Sequence, residues 1–195
     1  MQIRESSSKL SRLLVVDDNA QNVELLTAMM QAEGYEVISA ADGLEALSHV
    51  ATTPPDLILL DVMMPKLDGY AVCRRLKEET ATRLVPIVLL TALGAEEARI
   101  RGIEAGADDY LPKVFGSAVL RARVSAALDR RRLQDSQDLR REMAVARNIQ
   151  RDFLPESLPE VRGVQLEAAL HPARQVSGDF YDAFLLAPSG NLVLV

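Results

Sequence analysis

From Arg12 onward, short apolar runs alternate with longer segments whose apolar residues recur at helical spacing. The runs are RLLVV (12–16), EVISA (36–40), DLILL (56–60), PIVLL (86–90) and DYL (109–111). Between them lie AQNVELLTAMMQAEG, DGLEALSHVA, DGYAVCRRLKEE and GAEEARIRGIEAG. In the first of these, Val23, Leu26, Met29 and Met30 fall at helical spacing and Gly34 supplies a C-terminal stop. Near-continuous apolar strands separated by helices read as repeated βαβ units. The class is α/β, with a parallel sheet covered on both faces.

Neither proline nor glycine occurs between Gly116 and Pro155, so residues 117 to about 153 are predicted to form one long helix, or a pair with a short break. Its second half, RRRLQDSQDLRREMAVARNIQR, is charged and reads as a domain helix running on into a linker. Further on, VQLEAALHPA and GDFYDAFLLAPSGNLVLV show strand–loop–strand patterning around a Ser-Gly-Asn turn, the opening of a different β-containing domain. The organisation is then a flexible tail (1–11), a first domain (12–131), a helical linker (132–156) and a C-terminal piece (157–195).

Composition narrows the function classes. Apolar residues at 48% and charged ones at 26% are ordinary for a soluble globular protein. The net charge of −6 offers no basic field for nucleic acid or anionic lipid. No run approaches the roughly 18 apolar residues of a membrane span, and MQIRESSSKL lacks a signal-like apolar stretch. A cytoplasmic protein with neither nucleic-acid nor membrane partners is expected. The single cysteine, Cys73, excludes an internal disulfide and reads as buried filler. RRR at 130–132, without interleaved aromatics, reads as a solvated helix face.

The chemistry collects at the carboxyl ends of the strands, where open parallel sheets bind ligands. Asp17 and Asp18 follow the first strand, Asp61 the third, Thr91 the fourth and Lys113 the fifth. Taken singly, an Asp after a strand is most often a helix cap or turn former, and a loop Lys a solvated charge. Together they aim three carboxylates, a hydroxyl and an ammonium at one pocket. Two like charges about 5 Å apart cost about 3 kcal/mol at an effective dielectric of 20, so a cation or a proton must be present. Oxygen donors without histidine or cysteine favour Mg²⁺. A strand-end Asp beside Mg²⁺, a Lys and a Thr is arranged for phosphoryl transfer, with Asp61 as nucleophile.

The acidic pair DD, then LLLDVMMPKLDGY, VLLTA and GADDYLPK, resemble in order and spacing the receiver domain of two-component response regulators, over residues 12 to about 131. The resemblance implies a flavodoxin-like, doubly wound five-stranded parallel sheet of order 2-1-3-4-5. It implies phosphorylation of Asp61 by a histidine kinase, a phosphotransfer protein or a small phosphodonor. Asp18 and Asp61 would ligate Mg²⁺ directly, Asp17 through water, and the Met63 carbonyl would be a further ligand. Thr91 would bond the phosphoryl group, Lys113 would pair with it, and Tyr110 matches the aromatic that switches with Thr91. One residue departs from the pattern. The family usually has proline after the lysine, and here residue 114 is Val. The Lys113–Val114 bond is therefore expected to be trans, with the loop from Pro112 to Gly116 displaced or mobile relative to the family and Lys113 holding the phosphoryl group less firmly.

The tail carries a second resemblance. AVARNIQRDFLPESLP followed by PARQVSGDFYD is similar to the entry of bacterial PP2C-like (PPM-type) serine/threonine phosphatases. That family uses the Asp of its GD pair to bind Mg²⁺ or Mn²⁺, which implicates Asp179, with Asp182 a weaker match. Its next metal-binding motif, D-x-x-G-x-G, is not reached by Val195, so the 195-residue chain is expected to be inactive as a phosphatase. Diguanylate cyclases also follow such receivers, but SGDFYD lacks their acidic signature. In the linker Leu139, Ala146 and Phe153 recur at seven, with Ile149 between the last two. Either a short coiled-coil seam mediating a homodimer or a single amphipathic helix fits. The expected function is a response regulator whose phosphorylation on Asp61 controls a phosphatase acting on a phosphoprotein. The alternative is a non-catalytic adaptor that binds a regulatory partner, and the next sixty or so codons would discriminate the two.

Overall fold

The computed structural model describes residues 10–91, 96–114, 116–152, 159–160, 183–186 and 191–194. The chain divides into two compact units, Met1–Arg132 and Leu133–Val195. In the first unit β1 (Arg12–Val16), α1 (Ala20–Ala32), β2 (Glu36–Ala40), α2 (Gly43–Thr52), β3 (Leu57–Asp61), α3 (Gly69–Glu78), β4 (Ile87–Thr91), α4 (Glu96–Glu104) and β5 (Asp109–Pro112) follow one another. α5 (Ser117–Asp152) begins there and continues into the second unit as one 36-residue helix.

The strands are parallel and lie in the order β2-β1-β3-β4-β5, as expected. Alternate residues feed opposite faces. Leu14, Val16, Ile58 and Leu60 pack with Ala46 and Val50 of α2 and Val72 and Leu76 of α3. Leu13, Val15, Leu57 and Leu59 pack on the other face with Leu26 and Met30 of α1 and Leu120 and Val124 of α5. This two-sided burial is why the strands are apolar at consecutive positions. Asn19, Asp42 and Asp68 cap α1, α2 and α3 through their side chains, and Gly34 ends α1 at a φ of +85°.

Several expectations need correcting. β3 and β4 each start and finish one residue later than their patterns indicate, because Asp56 turns aside to accept the Arg12 N–H at 2.8 Å and Pro86 has no N–H. Asp61 and Thr91 are thus the last residues of their strands. Ser11, assigned to a loose tail, has its carbonyl bonded by Glu36 N at 3.0 Å and its hydroxyl by Arg132 at 3.0 Å. Arg131 is not simply solvated either: its guanidinium donates to the carbonyls of Pro55 and Asp56. Cys73 is buried, and burial pushes its thiol up to about 11.

In the second unit, α5 carries exposed Leu133, Leu139, Met143, Val145 and Ile149, and β6 (Ala183–Leu186) pairs antiparallel with β7 (Asn191–Leu194). Phe153, Asp179 and Asp182 lie outside the described residues. No helix among the described residues is long and apolar enough to cross a membrane.

Candidate functional site

The chain leaves β1 for β2 on one side and comes back to β3 on the other, so β1 and β3 flank the point where strand order reverses. Asp17 follows β1 and Asp61 ends β3, each only 1% exposed, while Asp18 is exposed. Carboxylate oxygens of the three lie within 4.8 Å of one another. Asp17 is well supplied with donors. Its Oδ1 accepts from Asn19 N at 2.9 Å, and both of its oxygens accept from Asn22 Nδ2 at 3.1 Å. Sequence reasoning missed Asn22. The available signal was an amide in the first turn of α1, one turn on from the acidic pair.

Lys113 brings one positive charge to this cluster. Its Nζ lies 2.8 Å from Asp17 Oδ2 and 2.9 Å from Asp61 Oδ2, so it bridges the two buried carboxylates. Burial acts to lower its pKa, but the hydrogen bonds it donates to Asp17 and Asp61, with the charges of both carboxylates, outweigh burial and raise it. Asp61 shifts the unexpected way for a paired carboxylate. Burial pushes its pKa up, Asp17 adds to this, and Lys113 and the Met63 N–H only partly oppose it. Its Oδ1 is buried with no hydrogen-bond partner in the protein. A buried acceptor left unmet costs about 1–3 kcal/mol, so this oxygen is open to a further donor or a cation.

Thr91 is fully buried at the end of β4, and its carbonyl accepts from Lys113 N at 2.6 Å, joining the β4 and β5 ends. That bond fixes the Lys113 backbone beside Thr91. Val114 is exposed, and the ammonium of Lys113 reaches Asp61. Tyr110 is half-buried on β5 against the α2–α3 side of the core, and Met63 is exposed in the loop after β3. The structure brings Asp17, Asp18, Asp61 and Lys113 together, with Thr91 tied to the same strand ends.

The family model described as response regulator receiver domain matches residues 13–125. The chain belongs to this receiver family. It is 53% identical over 114 residues to the response regulator PleD of Caulobacter vibrioides, covering 58% of this chain and 25% of that protein. It is 47% identical over 119 residues to the alkaline phosphatase synthesis transcriptional regulatory protein PhoP of Bacillus subtilis, covering 61% and 49%. The chain thus spans between a quarter and a half of these relatives' length. A response regulator structure from Chloroflexus aurantiacus superposes with a TM-score of 0.61 at 42% identity, covering 62% of this chain and 99% of that one. The receiver domain of sensor histidine kinase PA1611 from Pseudomonas aeruginosa, with magnesium coordinated in its active-site cleft, gives 0.59 at 34%, covering 62% and 99%.

Proposed function

We propose that this receiver is phosphorylated on Asp61 in a Mg²⁺-dependent reaction and so controls the segment that follows it. The observation that carries this is Asp61 itself: buried at the strand-order switch, bridged by Lys113 through one oxygen and without a protein partner at the other. The three carboxylates offer oxygen donors only, which fits Mg²⁺. Asp18 and Asp61 would hold the ion directly, Asp17 through water, with the Met63 carbonyl as a further ligand. Bound there, the ion neutralises charge on the oxygens of the incoming phosphoryl group.

A carboxylate oxygen of Asp61 attacks the phosphorus of a phosphohistidine or acyl phosphate donor. The bond from phosphorus to the donor breaks, its electron pair leaves with the imidazole or carboxylate, and an acyl phosphate forms on Asp61. Lys113 pairs with the new phosphoryl oxygens and the Thr91 hydroxyl bonds one of them, a change that Tyr110 follows. A histidine kinase or phosphotransfer protein is the donor partner.

For the output, AVARNIQRDFLPESLP and PARQVSGDFYD support a PP2C-like serine/threonine phosphatase with Asp179 among its Mg²⁺ or Mn²⁺ ligands. The exposed apolar side chains of α5 beyond Arg132 support a homodimer through the linker. The deciding experiment is intact-mass analysis after treatment with acetyl phosphate and Mg²⁺. The parent should gain one phosphoryl adduct and Asp61→Asn none; equal labelling of both would remove Asp61 as the acceptor.

A further inference from the structure

Lys66 has a φ of +68°, a left-handed conformation disfavoured for a residue with a Cβ. It forms the outer turn of the loop between β3 and α3, and its Nζ lies 2.7 Å from Asp42 Oδ2. The other oxygen of Asp42 is already engaged, accepting from Leu44 N at 3.0 Å and Glu45 N at 2.9 Å to cap α2. Asp42 thus uses one oxygen for its own helix and the other for a residue 24 positions away. The pairing lowers the Asp42 pKa and raises that of Lys66, each shift led by this hydrogen bond.

The loop has two anchors. On the inside, Val62 N donates to Leu90 O at 3.0 Å, while Val62 O accepts from Met64 N at 3.3 Å and Gly69 N at 3.0 Å. On the outside, the turn presses on the start of α2, where a Cβ on Gly43 would come within 2.9 Å of the Leu67 carbonyl. Lys66 fastens that outer turn to Asp42. Met63 stands between the two anchors, and its N–H already acts on the Asp61 carboxylate.

We propose that Asp42 and Lys66 are a positioning pair for the metal site, holding the loop so that the Met63 carbonyl stays where Mg²⁺ needs it. The inference rests on the reading that Asp18, Asp61 and the Met63 carbonyl hold Mg²⁺. With the outer anchor released, the loop spends part of its time elsewhere, and apparent affinity falls by the fraction no longer competent. Neither residue touches the ion, so each acts through the backbone between them.

The test is calorimetric Mg²⁺ titration of the 195-residue protein and its variants, with metal-free melting curves alongside. Asp42→Asn keeps a good helix cap and loses the charge. Lys66→Met keeps the length and loses the charge, while Lys66→Arg keeps both. Both neutral variants should weaken Mg²⁺ by about two- to fivefold, the scale of an exposed ion pair. Lys66→Arg should restore the parental value, and the double variant should be no weaker than either single one. A through-space charge effect has opposite signs, since removing Lys66 would tighten a cation and neutralising Asp42 would loosen it; that pattern overturns the proposal. So do parental affinities with merely lowered melting temperatures, which would make the pair structural. A parent that binds no Mg²⁺ would remove the metal reading itself, and this inference with it.

Discussion

Gly69, the first residue of α3, lies so close to Asp61 that a Cβ placed on it would collide with the Asp61 carbonyl oxygen. The next nearest atom is the Val62 Cα at 2.9 Å, so the obstacle is backbone and cannot rotate away. Gly69→Ala should therefore destabilise the domain by about 1–3 kcal/mol, as overpacking does, despite alanine's better helix propensity. Gly116→Ala, with nothing within 4 Å of its Cβ, gives up only glycine's advantage over alanine in capping α5 and should cost less, about 0.5–1 kcal/mol. Urea midpoints decide; equal midpoints for Gly69→Ala and the parent would mean that α3 can draw back from Asp61.

Burial raises the Asp61 pKa above its ordinary 3.8 in the folded protein, with Asp17 adding to it. A group raised on folding contributes stability that is present below its unfolded value and lost as pH rises through the folded one. Metal-free protein should accordingly lose stability as pH climbs from 3.8 through the folded value. Asp61→Asn should flatten that slope and, at neutral pH, raise the melting temperature by about 2–4 °C for each kcal/mol relieved. Lys113 keeps Asp17 as its partner in this variant, which limits the loss. Thermal melts across pH without metal give the answer, and a variant less stable than the parent at neutral pH contradicts it.

Lys113→Met removes the counter-ion from two buried carboxylates at once. Breaking a fully buried pair costs about 3–5 kcal/mol; with the lysine side chain 26% exposed, about 2–3 kcal/mol is expected here. Added Mg²⁺ should restore more stability to this variant than to the parent, because the ion takes over the missing charge. Denaturant titration with and without Mg²⁺ measures both effects.

Asp17 and Asp18 should separate by assay. Asp17 is buried and bonded to Asn22 and Lys113, whereas Asp18 is exposed. Asp17→Ala should therefore cost more stability, leaving buried donors unpaired. Asp18→Ala should cost more Mg²⁺ affinity, as a direct ligand is lost. Melting and calorimetry on the same two proteins test the pair, and the reverse order in the metal titration would exchange their roles.

Much of the site was legible in the sequence because its parts directly follow the apolar runs that mark buried strands. The close of an apolar run marks where a buried strand ends, and the residues at those ends must share one edge of a parallel sheet. Asp17, Asp18, Asp61, Thr91 and Lys113 were found in this way, and the five strands and the long α5 follow from apolar runs and from a stretch without Gly or Pro. What periodicity cannot encode is contact between segments distant in the chain. That Lys113 bridges Asp17 and Asp61, that Asn22 turns back on Asp17, that Arg131 serves carbonyls 75 and 76 residues away, and that Lys66 reaches Asp42 were decided only by tertiary packing. The direction of the Asp61 shift belongs to the same class. Its sequence neighbours say nothing of whether burial or the lysine wins, since that balance depends on how completely the folded sheet and helices exclude water from one carboxylate.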